Sequence, residues 1–339
     1  MPVALPKIMP CSTVVPAPRP AALDDRNLLL SSCARSCSML DNLGATDQGA
    51  ERNMSPTRVP HGPAHRSVPV HVRDNRYQRV LVLRDNRTKR FRYRQVFVEG
   101  MRPLKLLVES RWEVESFWYS EARPLPTWAR DLLDRRPRAS RFSVSRQLMS
   151  EMSGRTDASP LVAVAQRPDW SEAFIPKEPG VILVACDRLA SPGNIGTIVR
   201  CTDALGASAV VLVGHSADPY DPKAISASTG ACFLTPVLEL AGPGDLAELL
   251  DRVGLESGPL TVLAADAGAD LRLSRANLRG ATALLLGSER RGLSQGMQAL
   301  ATDSVRIETA GHVDSLNVAT AAAILLYEVH RERIAGETG

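Results

Sequence analysis

Three segments in the C-terminal half of the chain set chemically capable side chains at the mouths of expected helices. SPGNIGTIVR (191–200) breaks the chain at Pro192 and Gly193, offers Asn194 as a helix N-cap, and begins an apolar face with Ile195, Ile198 and Val199. Backbone donors are free where such a helix starts, and Arg200 follows within the next turns, available to a phosphate. Gly196 permits close approach of another backbone or a sugar. LLLGSERRGLS (284–294) reads as a buried strand ending at Gly287 in a turn, with Glu289 placed to hold Asn194 or Arg200. DSLNVATAAAILLYEVHR (314–331) puts Asp314, Ser315 and Asn317 at the start of a long apolar helix. Amides, a hydroxyl, a carboxylate and a guanidinium that hardly deprotonates suit the positioning of a polar substrate and the stabilisation of developing charge. Taken singly, each segment equally suits a capped core helix or a surface turn. No Gly-x-Gly-x-x-Gly follows VILVACD (181–187), which argues against the usual dinucleotide fingerprint.

The elements that must position these side chains are apolar runs bounded by turn signals: VILVACD, AVVLVG (209–214), TVLAAD (261–266), ATALLLG (281–287) and SVRIET (304–309). Helical patterns lie between them at about 195–205, 222–230, 244–253 and 316–333. Near-continuous β-rich runs alternating with helices predict an α/β domain over 181–335, its parallel sheet covered on both faces. Upstream, QVFVEGMRPLKLLVES (95–110) predicts a strand, a turn at Gly100 and an amphipathic helix; SFWYS (116–120) predicts a strand and SRQLMSEMS (145–153) a helix. These imply a small α/β domain over 73–168, joined by a Pro-rich linker at 169–180. Residues 1–72 hold ten of the 24 prolines and no sustained period, and are expected to form a disordered tail.

Charge is distributed unevenly. Between His71 and Met149 there are 19 Lys and Arg against 9 Asp and Glu, whereas the whole chain is +4, so the remainder is acidic. The densest stretch, 73–95, includes Arg87, Lys89, Arg90 and Arg92, with Tyr77, Phe91 and Tyr93 interleaved and available to stack on bases. This pattern favours a nucleic-acid partner gripped through phosphates. A solvated basic face remains the plainer alternative in a chain that uses 36 Arg and 5 Lys. The six cysteines lack CxxC spacing, which implies a reduced, cytoplasmic protein without a cysteine metal site. No apolar run reaches the ~18 residues of a membrane span.

In this order and at these intervals, the three segments resemble the signature motifs of the SpoU/TrmH family of RNA 2'-O-ribose methyltransferases, over about 180–333. FVEG-x-R-P (97–103) resembles the start of the family's L30e-like RNA substrate-binding domain. The resemblance implies a parallel sheet with a C-terminal trefoil (α/β) knot and S-adenosyl-L-methionine as cofactor. Ala264, Ala265, Asp266, Gly287, Ile307 and Leu316 would hold the cofactor, while Asn194, Arg200, Glu289, Ser315 and Asn317 match functional positions, with no metal. The family assigns the Arg200 position as general base; because a guanidinium hardly deprotonates, Arg200 is expected instead to grip the target phosphate and stabilise alkoxide charge, with Ser315 and Asn317 orienting the hydroxyl. The longer pattern is most similar to 23S rRNA members linked to antibiotic resistance; a tRNA enzyme and a non-catalytic RNA-binding protein stay open. The family also implies a homodimer, built on Ile195, Ile198, Val199 and the Ala321–Leu326 helix. Two departures stand out: Glu308 and Thr309 replace the Pro and Met of the family's Ile-Pro-Met, and Ala319 replaces a Ser.

Overall fold

The computed structural model describes residues 67–311 and 315–337. Asp314 and residues 1–66 of the expected 1–72 tail lie outside the described residues. The boundary placed at residue 72 is corrected, because Val68–Val70 form β1, a strand paired in parallel with Ser140–Val144. Val70 buries its side chain in the small domain's core, and that burial fixes the strand.

The charged run beginning at Arg73 folds as two helices that its charge pattern concealed. Asp74 caps α1 (Asn75–Asp85) and Asn86 caps α2 (Arg87–Tyr93). Then follow β2 (Gln95–Glu99), α3 (Met101–Glu109), β3 (Val114–Ser120), α4 (Thr127–Arg135), β4 (Ser140–Val144), α5 (Arg146–Ser153) and β5 (Leu161–Gln166). The sheet order is β1-β4-β3-β5-β2, with β5 antiparallel to both its neighbours. Tyr77, read as a base-stacking candidate, is instead a core residue whose hydroxyl donates to the Leu148 carbonyl at 2.8 Å.

The second sheet is parallel throughout, in the order β10-β12-β9-β11-β6-β7-β8. Its strands are β6 (Ile182–Asp187), β7 (Ala209–Val213), β8 (Val237–Leu240), β9 (Leu260–Ala265), β10 (Leu271–Arg272), β11 (Ala281–Leu286) and β12 (Asp303–Arg306). The helices α6 (Pro192–Ala204), α7 (Pro222–Ala227) and α10 (Val318–Glu337) cover one face, and α8 (Pro243–Ser257) with α9 (Gln295–Gln298) covers the other. An ideal Cβ on Gly196 would stand 2.2 Å from the Ala224 carbonyl oxygen, so the close approach allowed by this glycine is that of α7. Ile195, Ile198 and Val199, expected to offer surplus apolar surface to a partner, are buried in the same cluster as Ala322, Leu325 and Leu326 of α10.

The two sheets share one hydrophobic cluster. Trp112 meets Tyr220 and Phe233 edge-on, at 5.3 and 5.0 Å between ring centroids. At Gly230 (φ +96°) an ideal Cβ would lie 2.8 Å from the Pro103 Cα, so only a glycine lets α3 pack this closely on the turn after α7. Beside this apolar contact, Arg90 is 4% exposed; it donates to Asp218 at 2.7 Å and Asp221 at 2.9 Å, and also to the Leu83 and Arg84 carbonyls. Arg90 is therefore corrected from an RNA contact to a buried tie between the sheets. No helix among the described residues is long and apolar enough to cross a membrane.

Candidate active site

Helix α6 starts three residues earlier than Asn194 suggests. Ser191 is the N-cap and accepts from the Asn194 amide nitrogen at 3.3 Å, with Pro192 in the first turn, where its missing N–H costs nothing. Relieved of capping, the Asn194 side chain donates through Nδ2 to Glu289 Oε1. Its Oδ1 accepts from Asn317 Nδ2 at 3.3 Å. Asn317 in turn caps α10, its Oδ1 accepting from the Ala319 and Thr320 amides at 2.9 and 3.4 Å. Two amides and a carboxylate from three separate segments thus form one directed chain, and both asparagines are oriented by it.

Glu289 is carried on a turn closed by Ser288 and Gly292, whose backbones bond reciprocally at 3.1 and 2.8 Å. Gly287 makes that turn buildable, because an ideal Cβ there would lie 2.2 Å from the Gly292 carbonyl carbon and 2.3 Å from the Leu293 nitrogen. Its bareness serves the loop's own backbone. The far end of the turn is tied to β6: Asp187 is 2% exposed and accepts from the Ser294 amide at 2.6 Å and from Arg188 at 2.8 Å. Burial opposes ionisation of Asp187, but its bonds to Arg188 and Ser294 outweigh it and hold the carboxyl below its usual range. Sequence reasoning missed this tie, although a carboxylate ending an otherwise apolar strand beside β11 was the available signal.

A cleft of about 730 Å³ opens where β9, β11 and β12 end, at the carboxyl edge where parallel sheets place ligands. Its volume lies within the roughly 300–1,000 Å³ usual for small-molecule sites. Ala265, Asp266, Gly287, Ile307 and Leu316 line it, together with Glu289, Ser315 and Asn317. Ala264 does not; it is fully buried inside β9. Among the described residues the main chain of Ile307 and Leu316, both lining the cleft, makes no hydrogen bond, so their donors and acceptors are unspent. This arrangement fits an adenosyl group, whose heterocycle and ribose need such partners. The loop that lacks the family's proline is tethered another way, by Ser274 Oγ donating to Glu308 Oε1 at 2.5 Å.

Arg200 is not brought to this cluster. It is exposed on α6, with no hydrogen bond or ion pair among the described residues, and lies six residues beyond Asn194. That spacing is about 9 Å along the axis and on a different helix face. The expected hold of Glu289 therefore falls on Asn194 alone.

Most cations of the 73–95 stretch have partners within the chain, though only Arg90 is buried and several of the pairs are exposed at the surface. Arg73 pairs with Glu151, Arg76 with Asp74, Arg84 with Asp85 and Arg94 with Asp169. Arg79 donates to Gln95 at 2.9 Å and stacks on Tyr93, which Lys89 also faces. Arg87 is exposed but donates to the Ser216 carbonyl at 2.8 Å; Arg92 is exposed, and Phe91, 67% exposed, has the Arg167 guanidinium over its ring at 6.0 Å.

Residues 181–327 match the SpoU rRNA methylase family and residues 74–164 the SpoU L30e-like domain. The chain is 36% identical over 286 residues to the 23S rRNA (uridine(2479)-2'-O)-methyltransferase of Streptomyces viridochromogenes, covering 84% of this chain and 99% of that one. It superposes on the SpoU methyltransferase AviRb from the same organism, solved with the cofactor AdoMet, with TM-score 0.72 and 35% identity over 77% of this chain and 100% of the other. An RNA 2'-O ribose methyltransferase structure matches with TM-score 0.67 and 28% identity over 79% of this chain and 100% of that one. With both domains matched and nearly the whole of a relative covered, the chain belongs to the SpoU rRNA methylase family.

Proposed function

We propose that this RNA 2'-O-methyltransferase, whose methyl donor is S-adenosylmethionine, acts on a ribose of 23S rRNA as a homodimer. The observation that carries the reading is the directed chain Asn317–Asn194–Glu289 at the rim of the cleft. Similarity to the Streptomyces 23S rRNA enzyme supports the choice of RNA. Such a substrate implies action in the cytoplasm.

S-adenosylmethionine supplies a methyl group already activated by its sulfonium. The chain's own residues must hold the acceptor hydroxyl and ease its proton loss. Ile307 and Leu316 offer main-chain partners to the donor, and Asp266 and Gly287 bound its place. Ser315 and Asn317 orient the 2'-hydroxyl, the group that marks RNA. Glu289, its orientation fixed by Asn194, presents an acceptor, and the proton leaves to phosphate or water. On the small domain Arg87, Lys89 and Arg92 meet phosphates, without Arg90.

Arg200 enters from the second copy. Its exposure and lack of a partner on α6 among the described residues, together with the 57%-exposed Tyr327 on α10, which packs on α6, support a face shared between two chains. Mixing Arg200→Ala and Asn317→Ala chains tests this arrangement. Exchange between the two inactive variants should restore roughly a quarter of parental sites, since each mixed dimer regains one complete site. Mixtures that stay inactive despite exchange contradict it.

A further inference from the structure

Cations without partners among the described residues also lie outside the 73–95 stretch of the small domain. Arg123 and Arg146 are exposed and make no hydrogen bond or ion pair among the described residues. Both stand at the rim of a separate cavity of about 310 Å³, at the carboxyl ends of β3 and β4. Pro124, Pro126 and Pro160 contribute flat apolar wall, and the buried Met149 closes the interior. Asp157 also lines it, again without a partner among the described residues.

We infer that this cavity binds one unstacked nucleotide of the RNA substrate. Two guanidiniums at one rim match a phosphate's geometry and charge. Proline and methionine walls give a base face an apolar surface to leave water against. A carboxylate accepts only from donors, so Asp157 selects a base that presents an amino or imino N–H. The volume is near the lower bound of small-molecule sites and suits a single nucleotide.

The inference rests on RNA being the substrate and adds a second point of grip. Strand β5 runs from Leu161 beside the cavity to Gln166 at the linker. Its six residues span roughly 20 Å, so the cavity is at the end of the domain away from the linker. An RNA whose ribose enters the cleft must therefore extend to this distal site to be held fully.

Binding of a single-stranded oligoribonucleotide to the full chain, measured across salt concentrations, tests the site independently of methylation. Arg123→Ala with Arg146→Ala should weaken binding about tenfold or more and flatten the log–log salt slope by about 0.7, the share of the one phosphate they hold. Ala158→Trp, which fills the cavity and spares both arginines, should weaken binding without changing that slope. S-adenosylmethionine affinity should stay at the parental value in both variants. Parental RNA affinity in Ala158→Trp would reduce the arginines to surface cations and overturn the site, as would an unaltered slope in the arginine variant. Binding of a free mononucleotide that RNA fails to displace would overturn it too. Failure of the rRNA reading would appear differently, as a parent chain that binds the oligonucleotide but methylates no rRNA ribose.

Discussion

Replacing Arg90 by alanine separates a structural tie from an RNA contact. Arg90 is 4% exposed, and its partner Asp218 is 9% exposed. The substitution removes two charged contacts, at 2.7 and 2.9 Å, and two bonds to the Leu83 and Arg84 carbonyls. It leaves Asp218 as a buried charge still bonded to the Tyr220 amide. Breaking one partner out of a buried pair costs about 3–5 kcal/mol. At about 2–4 °C per kcal/mol for a body of this size, the melting temperature should fall by roughly 6–20 °C. Asp218→Asn in the same chain should recover part of the loss, because a neutral amide is cheaper to leave buried than a carboxylate and keeps the Tyr220 bond. Thermal unfolding of the parent, the single variant and the double variant provides the measurement. An Arg90→Ala chain that melts within a degree of the parent yet loses RNA affinity would refute the structural assignment.

Three other perturbations follow from the geometry. Gly287→Ala places a Cβ against main chain that has no rotamer to yield, so the Glu289 turn must move; S-adenosylmethionine affinity by isothermal titration should fall at least about tenfold, and parental affinity would count against the turn's role. Asp187→Asn should cost about 1.5–3 kcal/mol, because a charged acceptor is lost. Since the folded carboxyl titrates below its unfolded value near 3.9, that difference should be constant from pH 5 to 8 and close only as the pH falls below about 4; a gap that closes near neutrality would contradict the assignment. A chain starting at Arg73 should be about 2 kcal/mol less stable than one starting at Ser67, roughly 4–8 °C, because it lacks β1 and the buried Val70; equal melting would show that β1 adds nothing.

The parallel sheet was legible because strands such as Ala281–Leu286 are buried on both faces and read as unbroken apolar runs. β8 was missed: its run is four residues long, lies at the sheet edge and carries Glu239, which pairs with Arg167. Helices α1 and α2 were hidden by charge, since their partners come from Glu151, Asp218 and Asp221, far along the chain. Local spacing contains no trace of such pairings. The same limit applies at the site. Asn194, Glu289 and Asn317 were recognisable as residues, but Asn194 and Ser191 are both good caps three residues apart, and only the structure shows that Ser191 takes the role with Pro192 at the first helical position. Which side chain Glu289 holds depends on helix phase, and Arg200 is on the wrong face.

Mapping of ribose methylation along 23S rRNA incubated with the full chain and S-adenosylmethionine tests the central claim most directly. The account predicts a new 2'-O-methyl group on a 23S rRNA nucleotide, lost with Asn317→Ala while cofactor binding persists. Methylation of a base, methylation confined to tRNA, or no transfer by a parent chain that binds S-adenosylmethionine would contradict it.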